Sequence, residues 1–366
     1  MHKLLVINPG STSTKIAIYE GGKANFSTVL RHKTEELDKF SSIYDQYQFR
    51  KDTIIETLKS YNIDLSKLSA VVGRGGAIRP LQGGTYRVNQ QMLDDCRSGY
   101  TAQHAANLGA VIAHEIADER NIPAFVVDPP VVDELSDLAR VTGLPNMTRH
   151  SLFHALNQKA TARRAAEELG KSYEESRLIV AHLGGGISIG AHLGGKVVDV
   201  NNCYDSEGPL MPERSGTLPI GAVVKMCFSG EYTQDQIKKM LTGKGGIVAH
   251  LGTNDMRDVN KMIQDGDKHA ELIYRAMAYQ TAKAIGSRAT VLIGQVDAIV
   301  ITGGVAYDEN LVNLIKERVT WIAPVKVYPG GDEMEALAQG AERILMGVEQ
   351  AKDYDESTML GDVCVL

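Results

Sequence analysis

Cysteine is scarce and scattered in this 366-residue sequence: Cys96, Cys203, Cys227 and Cys364 lie far apart, and no two form a CxxC pair. That spacing favours neither a disulfide framework nor a zinc site. Basic residues are outnumbered, 39 Lys and Arg against 45 Asp and Glu for a net charge of −6, and no run of them stands out. A surface built to neutralise nucleic-acid phosphates is therefore disfavoured. Long apolar runs are also missing. The first, at residues 4–7, is broken by Asn8 and Pro9, too early for the core of a secretory signal. None approaches the roughly 20 residues of a membrane span. No nucleic acid, no membrane and a reducing cytoplasm are the resulting expectations. Two common nucleotide motifs are absent as well. GKS at 170–172 has Ala165 where a P-loop needs glycine, and no GxGxxG follows a strand.

What is present is an ordinary globular composition, 43% hydrophobic and 23% charged. The chain is longer than a single core usually supports, so two domains are expected. Short β-branched runs at 4–7, 15–19, 70–72, 124–127, 178–181, 188–192, 196–200 and 298–301 read as strands. Helical patterns occupy 49–61, 100–119, 152–169, 267–292, 311–319 and 333–351, and this alternation indicates an α/β fold. In the last helix Asp332 can cap and Glu335 can close a capping box. Its residues Met334, Leu337, Ala338, Ala341, Ile344, Leu345 and Val348 share one apolar face.

A weak repeat organises the chain. LLVINPGSTSTKIAIYEGGK near the start and LIVAHLGGGISIGAHLGGK from Leu178 share a plan of apolar strand, polar or glycine-rich turn, apolar strand and Gly-Gly-Lys. Two related domains, each beginning with the same hairpin, would produce it. The first turn offers an amide, hydroxyls, a glycine and Lys15, the donors and positive charge that a bound phosphate needs; a solvated polar hairpin is the plainer alternative. The second turn has three consecutive glycines, which cost backbone entropy unless something approaches closely. A third, TGGVAYDEN, places Gly303 and Gly304 after an apolar strand. Together the three turns point to a bound nucleotide.

These residues carry a resemblance. NPGSTSTK resembles the first signature of the acetokinase family, Asn-x-Gly-Ser-Ser/Thr-Ser-x-Lys, and HLGGGIS its second, His-x-Gly-x-Gly-x-Ser. TGGVAYDEN resembles the family's adenosine-side glycine turn. Over nearly its whole length the chain is similar to the butyrate kinase branch, within the superfamily of acetate and sugar kinases, heat-shock chaperones and actin. The resemblance implies two ribonuclease-H-like (actin-like ATPase) domains with an interdomain cleft. One would span 1–148 with about 338–366, including a returning C-terminal helix; the other, nucleotide-binding, would span 149–337. It implies transfer of the ATP γ-phosphoryl to the carboxylate of butyrate, isobutyrate or a similar short acid, with ATP/ADP and Mg²⁺ as cofactors, in a homodimer or higher homo-oligomer.

The family's roles carry over residue by residue. Asp128 ends the strand AFVVD before Pro129-Pro130, where α/β ligand sites gather, and matches a family Mg²⁺ ligand; a loop aspartate is the alternative. Arg214 in MPERSGT resembles the arginine that stabilises the transferring phosphoryl, although Glu213 beside it could make a surface ion pair. Arg74 in VVGRGGAI is a second candidate, but acetate kinases carry His-Gly-Gly here with an arginine slightly upstream. His154 in SLFHALNQK resembles a Phe-His pair whose histidine contacts the phosphoryl. The usual Gly-Thr-Ser-His continuation is replaced by Ala-Leu-Asn-Gln. His182, with the amides of Gly184, Gly185 and Gly186, would contact phosphate. Asn8, Ser11, Ser13 and Lys15 would stand near the metal and transferred group. Asn8, Asp128 and Glu333 are the metal candidates, with Asp332 or Glu335 as alternatives to Glu333. His104, His114 and His250 read as structural or surface residues. Rival readings are an acetate or propionate kinase, an actin-like or chaperone-type ATPase without an acid substrate, and an inactive nucleotide-binding homologue.

Overall fold

The computed structural model describes residues 1–355; Cys364 and the 356–366 end of the expected returning segment lie outside the described residues. The chain divides into two compact units, Met1–Asp133 with the described residues from Asp332 onward, and Glu134–Gly331.

The first unit is built on a six-stranded sheet of order β3-β2-β1-β4-β6-β5. Its strands are β1 (Lys3–Pro9), β2 (Ser13–Glu20), β3 (Lys23–Arg31), β4 (Ala70–Gly73), β5 (Thr85–Arg87) and β6 (Ala124–Val127). β1, β2 and β3 form an antiparallel meander, while β4 runs parallel to β1 and β6 parallel to β4. Leu5, Ile7, Ile16 and Ile18 pack in one cluster with Ile54 and Leu58 of the helix Tyr47–Ser60 and with Leu108, Ile112 and Ile116 of the helix Asn107–Asp118. The helix Glu333–Leu345 packs on β1, β4 and β6 as well. Helices on both faces explain why β1, β4 and β6 are apolar without alternation.

The second unit has a five-stranded sheet of order β11-β10-β7-β8-β9. Its strands are β7 (Arg177–Leu183), β8 (Ile187–Leu193), β9 (Lys196–Val200), β10 (Ala298–Gly303) and β11 (Val325–Pro329). The helix Ala155–Glu168 lays Ala162, Ala165 and Ala166 on Leu178, Val180, Ala298 and Val300. The 24-residue helix Lys268–Val291 packs on β7 and β8. Its N-cap Asp267 accepts from the amides of His269 and Ala270.

The faint repeat thus reflects a shared topology: β3-β2-β1-β4-β6 matches β9-β8-β7-β10-β11. Leu4 pairs with Ala70 and Leu178 with Ala298, so counting along β1 and β7 puts Asn8 and His182 in the same place, one in each unit. All eight strands expected from sequence are present. β3, β5 and β11 were not anticipated: β3 and β11 are outer strands with half-exposed residues, and β5 is only three residues long, though Thr85 and Tyr86 are buried. Two helices differ from expectation. That expected over 100–119 begins only at Asn107, because Gly99, at φ +65°, ends a separate helix, Gln90–Ser98. That expected over 333–351 stops at Leu345, just before Gly347 turns left-handed at φ +72°.

Candidate active site

In the first unit the turn of NPGSTSTK joins β1 to β2, with Asn8 opposite Lys15 and Pro9 opposite Thr14. Ser11, Thr12 and Lys15 are exposed, while Asn8, Gly10 and Ser13 are half-buried. Beneath the turn lies a residue that the sequence reading missed. Arg50, fully buried on the helix Tyr47–Ser60, donates from Nη1 to the carbonyls of Gly10 (2.8 Å) and Ser13 (3.1 Å) and to Thr14 Oγ1 (3.2 Å). Its Nη2 donates to the Ser11 carbonyl (2.8 Å) and, with Nε, to Gln46 Oε1. Every one of these acceptors is uncharged. Burial lowers the Arg50 pKa to about 10, which still leaves it cationic at neutral pH. Thr14 Oγ1 also lies 2.9 Å from His32 Nε2, and burial, followed by the Arg50 charge, lowers the His32 pKa to about 4. A lone arginine inside an otherwise polar helix was the available signal, but nothing local marked its target.

Asn8, Arg74 and Glu333 converge in this unit. Asn8 Nδ2 donates to Glu333 Oε2 at 2.8 Å, and Arg74 Nη1 forms an ion pair with Glu333 Oε1. The Arg74 Nε is buried with no hydrogen-bond partner among the described residues. The three acids at the head of the last helix make different contacts. Asp332 caps the amides of Met334 and Glu335, Glu335 accepts from Gln339, and Glu333 faces Asn8 and Arg74. Asp128 follows β6 with φ +38°, a backbone region that non-glycine residues seldom adopt. It is buried, and its Oδ1 accepts from the Gly84 amide at 2.7 Å.

The second unit brings together His154, His182, Arg214 and the triple-glycine turn. His154 stands at the N-terminus of the helix Ala155–Glu168 and His182 near the end of β7. Their rings stack with centroids 3.8 Å apart and planes 10° from parallel. His154 Nδ1 lies 2.9 Å from Ser188 Oγ, and His182 Nδ1 lies 2.6 Å from Asn157 Oδ1. The Ala-Leu-Asn-Gln continuation after His154 therefore supplies contacts of its own: Asn157 meets His182, and Gln158 donates to Ser188. Arg214 donates to the Cys203 carbonyl at 2.9 Å and lies over the Tyr204 ring at 4.5 Å, whereas Glu213 accepts from Asn254. The two neighbours thus reach different partners. A Cβ on Gly186 would sit 2.2 Å from Arg214 Nη1, so glycine here admits the guanidinium.

Gly303 ends β10 at φ +93°, where a Cβ would meet the Leu183 carbonyl oxygen at 2.2 Å. Gly185 and Gly304 border a cavity of about 920 Å³ within this unit, lined also by Glu213, Asn254, Asn260, Tyr307 and Asp308. That volume lies in the range of small-molecule and cofactor sites. Asp308, the aspartate of TGGVAYDEN, accepts from Asn260, Tyr274 and the Leu311 amide, fixing the wall after the Gly303-Gly304 turn.

Against known proteins, a model described as the acetokinase family matches residues 119–349. A probable butyrate kinase of Clostridium botulinum (strain Alaska E43 / Type E3) is 55% identical over 353 residues, 96% of this chain and 99% of that one. Among solved structures, Porphyromonas gingivalis acetate kinase aligns with a TM-score of 0.78 at 21% identity, covering 94% of this chain and 100% of that chain. A propionate kinase from Francisella tularensis subsp. tularensis SCHU S4 aligns at 0.72 and 20% identity, covering 93% and 99%. At these identities the structural likenesses speak to the fold, the α/β architecture with ribonuclease-H-like sheets expected from the sequence. The family match and the 55% identical relative, together with the two signature turns, make the chain a member of the acetokinase family.

Proposed function

We propose that this chain is an ATP-dependent carboxyl kinase that phosphorylates butyrate or a similar short or branched acid, giving an acyl phosphate and ADP reversibly. The carrying observation is the stacked His154–His182 pair beside a triple-glycine turn that admits the Arg214 guanidinium. In the forward direction a carboxylate oxygen forms a bond to the γ-phosphorus while the bond from that phosphorus to the β–γ bridging oxygen breaks, and ADP departs with its electrons. A carboxylate is already a nucleophile, so no base is needed. Catalysis rests on alignment and on donors placed where charge spreads over the phosphoryl oxygens.

In this reading Arg214, His154 and His182 donate to the phosphoryl in flight. In the second unit the amides of Gly184, Gly185 and Gly186 hold phosphate oxygens and Gly303 and Gly304 flank the adenosine; in the first, Asn8, Ser11, Ser13 and Lys15 are the phosphate-binding candidates.

Among the described residues no three His, Cys, Asp or Glu side chains gather as a metal cage. Mg²⁺ in phosphoryl transfer needs none, taking one or two carboxylates with phosphate and water oxygens. Glu333 beside Asn8 fits such an ion, and Asp128, committed in part to Gly84, would steady the same region. When bound, Mg²⁺ would offset the charge of the phosphate oxygens.

The curated relative's name supports a four-carbon acid. Each added methylene is worth about 0.8 kcal/mol when buried, and a pocket discriminates by only about 1–3 kcal/mol per methylene. Neighbouring acids should therefore turn over too. No helix among the described residues is long and apolar enough to cross a membrane. A cytoplasmic homodimer or higher homo-oligomer completes the proposal. Hydroxylamine trapping of acyl phosphate, with ATP, Mg²⁺ and acids from acetate to pentanoate including isobutyrate, tests it beside a His154→Ala control. Best turnover with four-carbon acids, lost in the control, is expected. Hydrolysis of ATP indifferent to every acid would overturn it.

A further inference from the structure

Behind His154 runs a buried chain of hydrogen bonds whose directions can be assigned one by one. Ser188, Gln158, His192 and Tyr173 are all buried. Gln158 Nε2 lies 3.0 Å from the Ser188 backbone carbonyl and 2.8 Å from Ser188 Oγ. A carbonyl only accepts, so the amide nitrogen must face it and Oε1 must face the other way. Gln158 Oε1 is 3.0 Å from His192 Nε2, which must therefore carry a proton to donate. Burial, followed by the Lys159 charge, lowers the His192 pKa to about 3, so this ring is neutral and its Nδ1 accepts. The partner of that Nδ1 is the Tyr173 hydroxyl at 2.8 Å.

At the other end, Ser188 Oγ already accepts from Gln158, and its own proton has His154 Nδ1 as its hydrogen-bonding target, 2.9 Å away. The thiol of Cys203, 3.8 Å from the same nitrogen, is directed at the Leu152 carbonyl. The chain thus reads in one direction: Tyr173 O–H to His192, His192 N–H to Gln158, Gln158 N–H to Ser188, and Ser188 O–H to His154 Nδ1. With Nδ1 accepting, a neutral His154 carries its proton on Nε2.

We propose that Gln158, backed by His192 and Tyr173, is a positioning residue that fixes His154 as the Nε2–H tautomer through Ser188. This presets the ring as a donor before any phosphoryl group arrives. It rests on the phosphoryl-transfer reading only for the use of that donor. Of the relay, Gln158 lies in the Ala-Leu-Asn-Gln stretch that follows His154, while Tyr173, Ser188 and His192 come from elsewhere in the unit.

The test is the tautomer itself. Two-bond ¹H–¹⁵N spectra of the full chain, labelled at histidine and assigned with His154→Gln, should show His154 protonated at Nε2 and bare at Nδ1. In Gln158→Met, and separately in Ser188→Ala, which keeps the backbone carbonyl contact, His154 should move toward a mixture of tautomers. Acyl phosphate formation should fall about 10–100-fold in kcat, by analogy with loss of the hydrogen-bond partner that orients a metal-bound histidine, with KM for ATP changing less. A wild-type His154 protonated at Nδ1, or a tautomer unchanged in the variants, overturns the proposal. Should one variant fail to fold, the wild-type spectrum and the other variant still decide. The predicted tautomer in a protein that forms no acyl phosphate would sink the kinase reading and leave the relay standing.

Discussion

Replacing Arg50 with methionine should cost the first unit much of its stability and, with it, the conformation of the β1–β2 turn. The side chain makes six hydrogen bonds, three of them to the carbonyls of Gly10, Ser11 and Ser13. Methionine fills most of the volume but satisfies none of these acceptors. Each acceptor stranded without a partner costs about 1–3 kcal/mol. Ser11 is exposed and Gly10 and Ser13 half-buried, so water can reclaim part of the turn, whereas Thr14 Oγ1 and the Gln46 amide stay buried. With Thr14 Oγ1 and Gln46 Oε1 left unmet, the net loss should lie toward the lower end of about 2–6 kcal/mol, because the cost of burying the guanidinium charge disappears with it. Urea unfolding gives the number. Arg50→Lys, which keeps one charge but cannot span three carbonyls, should fall between wild type and the methionine variant. His32 supplies an independent readout. Its depressed pKa owes its second-largest cause to Arg50, so it should rise in Arg50→Met at any pH where the variant is folded. A methionine variant of near-native stability with an unchanged KM for ATP would refute the claim that the buried guanidinium organises the turn.

Arg214→Ala should lower kcat by about 10³-fold or more, as for a transition-state arginine, and Gly186→Ala should reproduce part of that loss by displacing the guanidinium while the protein stays folded; near-normal steady-state kcat in both would remove Arg214 from the mechanism. Glu333→Gln should raise the Mg²⁺ concentration needed for half-maximal activity and release Arg74 from its ion pair, so a metal titration superimposable on wild type would discount Glu333 as a ligand. His32 and His192 have folded pKa values lowered to about 4 and about 3, so between those values and about 6.5 the unfolded chain binds more protons than the folded one. Stability must then fall as pH drops through that window, by up to about 3 kcal/mol for His32 alone. Denaturation midpoints unchanged from pH 7 to pH 5 would show that these rings are not buried neutral.

The sequence exposed those features of fold and site whose signal is local. Short β-branched apolar runs marked eight strands, and the motifs placed His154, His182 and the glycine turns on elements that the structure brings together. What stayed hidden depends on partners far away in sequence. Arg50 reaches a turn about forty residues earlier, and Ser188 and Gln158 meet across thirty. β3 and β11 escaped notice because an outer strand half in solvent has no need of an apolar run. Asn8, Arg74 and Glu333 could be nominated by type, but only the fold shows that Glu333, rather than Asp332 or Glu335, turns toward the other two.

The matched topology of the two sheets shows how one hairpin can be adapted in two opposite ways. In the β1–β2 turn the side chains are donors, and the backbone carbonyls are pulled inward by Arg50. In the β7–β8 turn the backbone is bare: Gly185 accepts the Glu213 amide, and Gly186 leaves room for Arg214. The first turn carries its own polar side chains and is braced from beneath by Arg50; the second is met by Arg214 from a neighbouring loop and, through Ser188, by His154 at the head of a helix. Substitutions should therefore be read differently in each. A hydroxyl lost from Ser11 or Ser13 removes one donor, worth about 1 kcal/mol in an ordinary hydrogen bond. A methyl added at Gly186 removes no donor of the turn itself and yet displaces the charge that the turn was shaped to admit. Such sensitivity to an added methyl, rather than glycine's flexibility, is the physical reason for a glycine at 186.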